Sequence, residues 1–204
     1  MLELDHIAVL GETLDAAAAC ATAQLGLPLR PGGRHVRYGT HNRLLGLADG
    51  LYLEAIAIDP EAPEPPGPRW FGLDAFAGPA RLDKWICRVP DIDAAIAALP
   101  GAGRRVDLTR GDLSWSMAVP EDGLLSFDGL FPALIQWHSP VPPGQTLPPS
   151  RLRLTRLEVT HPRAGALAEL LAPHLADDRL RFVEAAVPRL SASLAGPDGE
   201  VSLA

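Results

Sequence analysis

The chain has 204 residues, 47% of them apolar, and a net charge of −7. That apolar share excludes a disordered segment, and the length suits one large domain or two small fused ones. The acidic balance, with no dense Lys/Arg run, argues against a nucleic-acid partner, and no apolar stretch reaches membrane-spanning length.

The opening stretch MLELDHIAVLGETLD carries acids where a signal peptide would carry Lys or Arg, so a cytoplasmic location is expected. Its segment Leu4-Asp5-His6-Ile7-Ala8-Val9 reads as a strand. An Ala-rich helix is predicted over Leu14 to Leu25, with Thr13 as its N-cap and Gly26 ending it. Strands are expected over Gly33 to Tyr38, His41 to Leu47 and Leu51 to Ile58, with Asp49-Gly50 as a turn. Gly32-Gly33 lacks the context of a phosphate loop. The Pro-rich run Pro60 to Pro68 reads as a connector.

The same grammar then recurs. Leu82-Asp83-Lys84-Trp85-Ile86-Cys87 is a strand, followed by a helix from Ile92 capped by Asp91 and ended by Pro100. Strands follow over Val106 to Thr109, Leu113 to Val119 and Ala133 to Ser139. A second Pro-rich run leads to Leu154-Thr155-Arg156-Leu157-Glu158-Val159. Thr160 is expected to cap a helix there, with Pro162 in its first turn, before three last strands ending at Leu203. The interval is too long for a solenoid and suits a repeated module. Residues 1–60 form a first βαβββ module and 61–80 a linker. Residues 81–140 form a second module, 141–150 a linker, and 151–204 a third, partial module. Cys20 and Cys87 are expected as small core residues.

A repeated βαβββ module with His on its first strand and Glu on its last resembles the vicinal oxygen chelate superfamily, which includes glyoxalase I, bleomycin-resistance proteins and extradiol dioxygenases. The matching strings are LDHIAV and YLEAIA in the first module, and LDKWIC and ALIQWH in the second. GTHNRLLGL followed by YLEAIAIDP looks like the glyoxalase-like branch. The resemblance implies an α+β fold in which two modules form a cupped mixed sheet. It also implies four inward ligand positions: His6, Glu54, Lys84 and Gln136.

Those positions leave two chemistries open. His6 and Glu54 suit a divalent ion such as Zn, Ni, Mn or Fe. Lys84 does not, because an ammonium has no lone pair and repels a cation. The favoured expectation is a metal-free centre in which Lys84 pairs with Glu54, satisfied further by His6 and Gln136. Glu54 or Lys84 would then handle a proton as the catalytic group. The rescue for a metal adds His138, expected on the same strand face as Gln136. His41 is either a solvated turn residue or a ligand contact, and Trp70 either docks its linker or caps the pocket. Trp85 and Trp115 are expected in core or pocket wall, and His35, His161 and His174 at the surface. The function expected is a lyase or isomerase acting on a small oxygenated molecule; the alternatives are a non-catalytic binding protein of the bleomycin-resistance type, or a remnant whose pocket the Lys84–Glu54 pair closes. A homodimer is plausible for such a fold.

Overall fold

A computed structural model describes residues 1–204. The first module runs β1 (Glu3–Leu10), α1 (Leu14–Leu25), β2 (Arg30–His35), β3 (Thr40–Gly46) and β4 (Tyr52–Ile58). Thr13 caps α1 by accepting from Ala16 N at 3.1 Å, and Gly26 closes it at φ 70°, where a side chain would be strained. The second module runs β5 (Arg81–Arg88), α2 (Ile92–Ala98), β6 (Arg104–Arg110), β7 (Leu113–Val119) and β8 (Ala133–Trp137). Asp91 caps α2 through the amides of Asp93 and Ala94, both at 3.0 Å.

These strands form a single eight-stranded sheet in the order β2-β3-β4-β1-β5-β8-β7-β6. β1 and β5 pair antiparallel at its centre, and each is flanked by the last strand of its own module in parallel. The two halves therefore mirror one another in strand order. The helices lie on the outer face, α1 against β1 and β4, α2 against β6, β7 and β8. The sheet curls until its two edge strands, β2 and β6, face one another, so the inner face becomes the wall of a hollow.

A turn of four residues, α3 (Pro143–Thr146), follows β8. The third unit then runs β9 (Arg153–Thr160), α4 (Ala164–Leu171), β10 (Leu180–Val183), β11 (Arg189–Gly196) and β12 (Gly199–Leu203). It is complete in element order, yet its own sheet is ordered β10-β9-β11-β12. Here the first strand pairs in parallel with the second rather than with the last. The unit consequently stays out of the hollow and packs against the outer face, with the rings of Trp85 and Phe182 6.4 Å apart. One apolar core runs through both layers, from Ile7 and Trp85 to Leu157 and Leu194. No helix is long and apolar enough to cross a membrane. Cys20 and Cys87 are both free, and Cys87 is fully buried.

The cap expected from Thr160 is not formed. Thr160 ends β9 with its hydroxyl buried and unpaired, and α4 begins only at Ala164. No side chain caps α4, and His161 instead holds the turn that leads into it. Its Nδ1 accepts from Arg163 N at 2.9 Å, while its Nε2 meets Asp128 Oδ2 at 2.9 Å. Expected at the surface, His161 is 2% exposed, because it ties this helix start to the loop before β8.

Candidate functional site

Alternation along a strand sends neighbouring side chains to opposite faces. Asp5 and His6 break that rule because the β1–β5 register slips between Leu4 and His6, leaving an extra residue on β1. Asp5 and His6 thereby end side by side, with Asp5 Oδ1 2.7 Å from His6 Nδ1. The second Asp5 oxygen accepts from the Trp137 indole at 3.1 Å. Both acid and imidazole are buried.

The parallel register with β4 sets Tyr52 directly beside His6, and Glu54 two residues further along the same face. The Tyr52 ring stacks on the imidazole with centroids 4.2 Å apart and planes 15° apart. Glu54 Oε2 lies 3.7 Å from His6 Nε2, too far for a direct hydrogen bond. Its other oxygen accepts from Asn42 Nδ2 at 2.5 Å. Asn42 is oriented by its own acceptor, which takes the Gly33 amide at 2.7 Å.

Gly32 and Gly33 permit this approach. A Cβ on Gly32 would overlap Asn42 Oδ1 and come within 2.9 Å of the Asn42 carbonyl oxygen. Asn42 is pinned and buried, so it cannot yield cheaply. Gly32→Ala is expected to cost about 1–3 kcal/mol of stability and to loosen Glu54. An unchanged denaturation midpoint would refute the close-packing argument.

The far rim is held by His35, whose Nδ1 is 3.0 Å from Thr40 Oγ1 and whose Nε2 is 3.0 Å from Arg110 Nη1. Arg110 ends β6, so this contact bridges the two modules. Burial, together with Arg110 and His6, outweighs Glu54 and holds the His35 pKa down to about 4. The neutral ring therefore donates from Nδ1 to Thr40 and accepts from Arg110. Burial also opposes charge on His6, but the bond and charge of Asp5 and the nearby Glu54 carboxylate prevail and raise it to about 9. Burial would raise Glu54, yet His6 leads the groups that hold it down to about 2. The centre thus rests as an imidazolium between two carboxylates.

The hollow is tight, with about 30 Å³ free to water-sized occupants. Trp70, Phe71, Trp115 and Trp137 form aromatic walls, with Leu44, Met117 and Ile135 between them. Trp70 reaches the wall from a tight turn, Trp70–Ala75, where Phe71 adopts φ 63°.

Of the sequence-predicted residues, the structure brings together His6, Glu54 and Trp70. It places four others elsewhere. Lys84 is buried against Asp83, accepting no role beside Glu54, which is held by His6 and Asn42 instead. The expected Lys84–Glu54 pair is absent because a nearer carboxylate satisfies the ammonium. Gln136 lies on the outer face of β8, where it accepts from Ile92 N and donates to Pro90 O, both at 2.9 Å. Trp137, not Gln136, is the inward residue. His138 shares that outward parity and bonds Ser116 at 2.7 Å. His41 likewise alternates away from Asn42 and faces Asp59 at 3.9 Å. Asp5, His35, Asn42, Tyr52 and Arg110 were missed as site residues. The parity of Asn42 and Leu44 on β3 was a usable signal; nothing local announced Arg110.

This donor set does not fit a metal of the expected kind. No three His, Cys, Asp or Glu side chains are arranged to hold one ion, and of the four expected ligand positions Gln136 lies on the outer face and Lys84 is taken up by Asp83.

A family model described as a glyoxalase-like domain matches residues 4–175. No curated protein matches the chain. Among solved structures, a hypothetical protein from Staphylococcus aureus covers 99% of this chain and 84% of its own, at 13% identity and a TM-score of 0.56. A methylmalonyl-CoA epimerase from Mycobacterium tuberculosis covers 66% of this chain and 85% of its own, at 18% identity and a TM-score of 0.43. The Streptomyces coelicolor epimerase in complex with 2-nitronate-propionyl-CoA covers 69% of this chain and 98% of its own, at 18% identity and a TM-score of 0.45. The first of these likenesses shows a shared fold.

Proposed function

Because the chain belongs to the glyoxalase-like domain family of the vicinal oxygen chelate superfamily, we propose that its hollow binds a small oxygenated molecule and moves a proton beside its carbonyl group, without a resident metal. The observation that carries this reading is the 3.7 Å gap between His6 Nε2 and Glu54 Oε2 inside the hollow. The Nε2 proton is not spent on Glu54, so it is free for a ligand oxygen.

The steps balance as an enolisation. Glu54 takes the proton from the carbon next to the carbonyl, and the C–H electron pair becomes the C=C bond. The carbonyl oxygen receives the His6 proton and the enol forms. Return of the proton to either face, or to a neighbouring carbon, gives racemase or isomerase chemistry. The two transfers assist one another. Glu54 is a weak base only while His6 is charged; once His6 gives up its proton, Glu54 binds one more tightly. Asp5 holds the imidazole by Nδ1 and keeps Nε2 facing the ligand, and the aromatic walls exclude water.

The test is deuterium exchange at C3 of 2-oxo-4-phenylbutanoate and of its methyl ester, followed by proton NMR. Wild-type protein is expected to accelerate exchange. Glu54→Gln should slow it by roughly 10²–10⁴, the usual contribution of a positioned base. If wild type accelerates exchange of neither compound, the proposal fails. A second reading, sequestration without turnover, draws on the four aromatic rings of the wall. It predicts that wild type and Glu54→Gln bind equally well and that neither exchanges.

A further inference from the structure

We infer that Arg110 is the anion receptor of the hollow, and that its ligand is a small carboxylic acid with an apolar body. This rests on reading the hollow as a small-molecule site, and it adds the class of molecule.

Arg110 lines the hollow, yet no carboxylate pairs with it. Its contacts are His35 Nε2 at 3.0 Å and Asn42 Oδ1 at 3.5 Å, both uncharged acceptors. Both engage Nη1, so Nε and Nη2 keep a two-pronged face without a protein partner. The guanidinium also lies over the Trp115 ring, 5.9 Å from its centroid. Of the charged groups lining the hollow, His6 and Glu54 face one another, and Arg110 alone has no oppositely charged group in contact.

Two independent features support a ligand there. Trp70, 3% exposed and part of the same wall, leaves its buried indole Nε1 without any acceptor. A donor so placed asks for a ligand oxygen. Gly33 is the second. A Cβ there would stand 2.6 Å from Arg110 Cδ and 2.9 Å from Nε. The missing side chain lets the arginine lie along β2, across the gap between modules, instead of swinging into solvent. Leu44, Met117 and Ile135 among the aromatic rings suit an apolar remainder. Planar fork geometry matches a carboxylate's two oxygens.

Binding of 2-oxo-4-phenylbutanoate and of its methyl ester is measured by tryptophan fluorescence on wild type, Arg110→Gln and Arg110→Lys, with melting temperatures taken in parallel. Wild type is expected to bind the acid at least about tenfold more tightly than the ester. Arg110→Gln should bring that ratio near one. Arg110→Lys, which keeps the charge but loses the fork, should fall between and guards against a folding artefact. Equal binding of acid and ester by wild type, no binding of the acid at millimolar concentration, or an unchanged ratio in a folded Arg110→Gln would each overturn the inference. The outcomes separate it from the catalytic reading. Arg110-dependent acid binding without deuterium exchange removes only the chemistry. Exchange of acid and ester at equal rates and affinities removes only the receptor.

Discussion

Asp5→Ala is expected to destabilise the protein by about 3–5 kcal/mol near pH 7, the usual result of removing one partner from a buried charge pair. Asp5 is 1% exposed and satisfies two buried donors at once, His6 Nδ1 at 2.7 Å and Trp137 Nε1 at 3.1 Å. Its loss leaves the imidazolium with Glu54 alone, and leaves the indole with no acceptor. The His6 ring can escape part of the penalty by losing its proton, so the loss should shrink as pH rises. Asp5→Asn keeps one acceptor oxygen and should cost less, about 1–3 kcal/mol. Urea denaturation of the three proteins at several pH values checks both statements. An Asp5→Ala variant within about 1 kcal/mol of wild type would show that the pair does not carry the fold's charge balance.

Stability should peak near pH 6.5 and fall on both sides. His6 is raised from 6.5 to about 9 in the folded state. Its contribution is fully present below 6.5 and is lost as pH rises through about 9, because the unfolded chain sheds the proton first. The amount is on the order of 3 kcal/mol. His35 has the opposite sign. Its pKa falls to about 4, so the fold prefers the neutral ring, and stability is lost as pH drops from 6.5 through 4. Glu54, depressed from 4.5 to about 2, adds a further loss below 4.5. Chemical denaturation across this range should show His35 opening the acid limb and His6 the alkaline one. His6→Gln should flatten the alkaline limb and weaken the Glu54 part of the acid limb, leaving the part that burial of His35 sets. A wild-type profile level between pH 6.5 and 9 would mean that His6 is not held between two carboxylates.

His6 and Glu54 were legible through the resemblance of LDHIAV and YLEAIA to the ligand strands of the family, and the parallel pairing of β1 with β4 sets both on one face. Gln136 and His138 fell on the wrong face by a single position. On β8 the inward residues are Ile135 and Trp137, and a strand shifted by one residue turns every side chain over. Lys84 shows a different limit. Its strand position was read correctly, but a side chain that long chooses its own partner, and Asp83 lies next to it. His35 and Arg110 carried no signal, since each acquires meaning only from the other.

The sequence by itself determined the three βαβββ element orders, the caps at Thr13 and Asp91, and the closure at Gly26. These follow from periodicity and from contacts between near neighbours, which each segment encodes locally. Tertiary structure alone decided the rest. A register slip turned Asp5 to the side of His6, the curl of the sheet brought β6 to β2 and Arg110 to His35, and a different strand order kept the third unit out of the hollow. Those outcomes depend on contacts between segments far apart along the chain, where the cost of closing the loops and the packing of whole sheets, not local preference, select the arrangement.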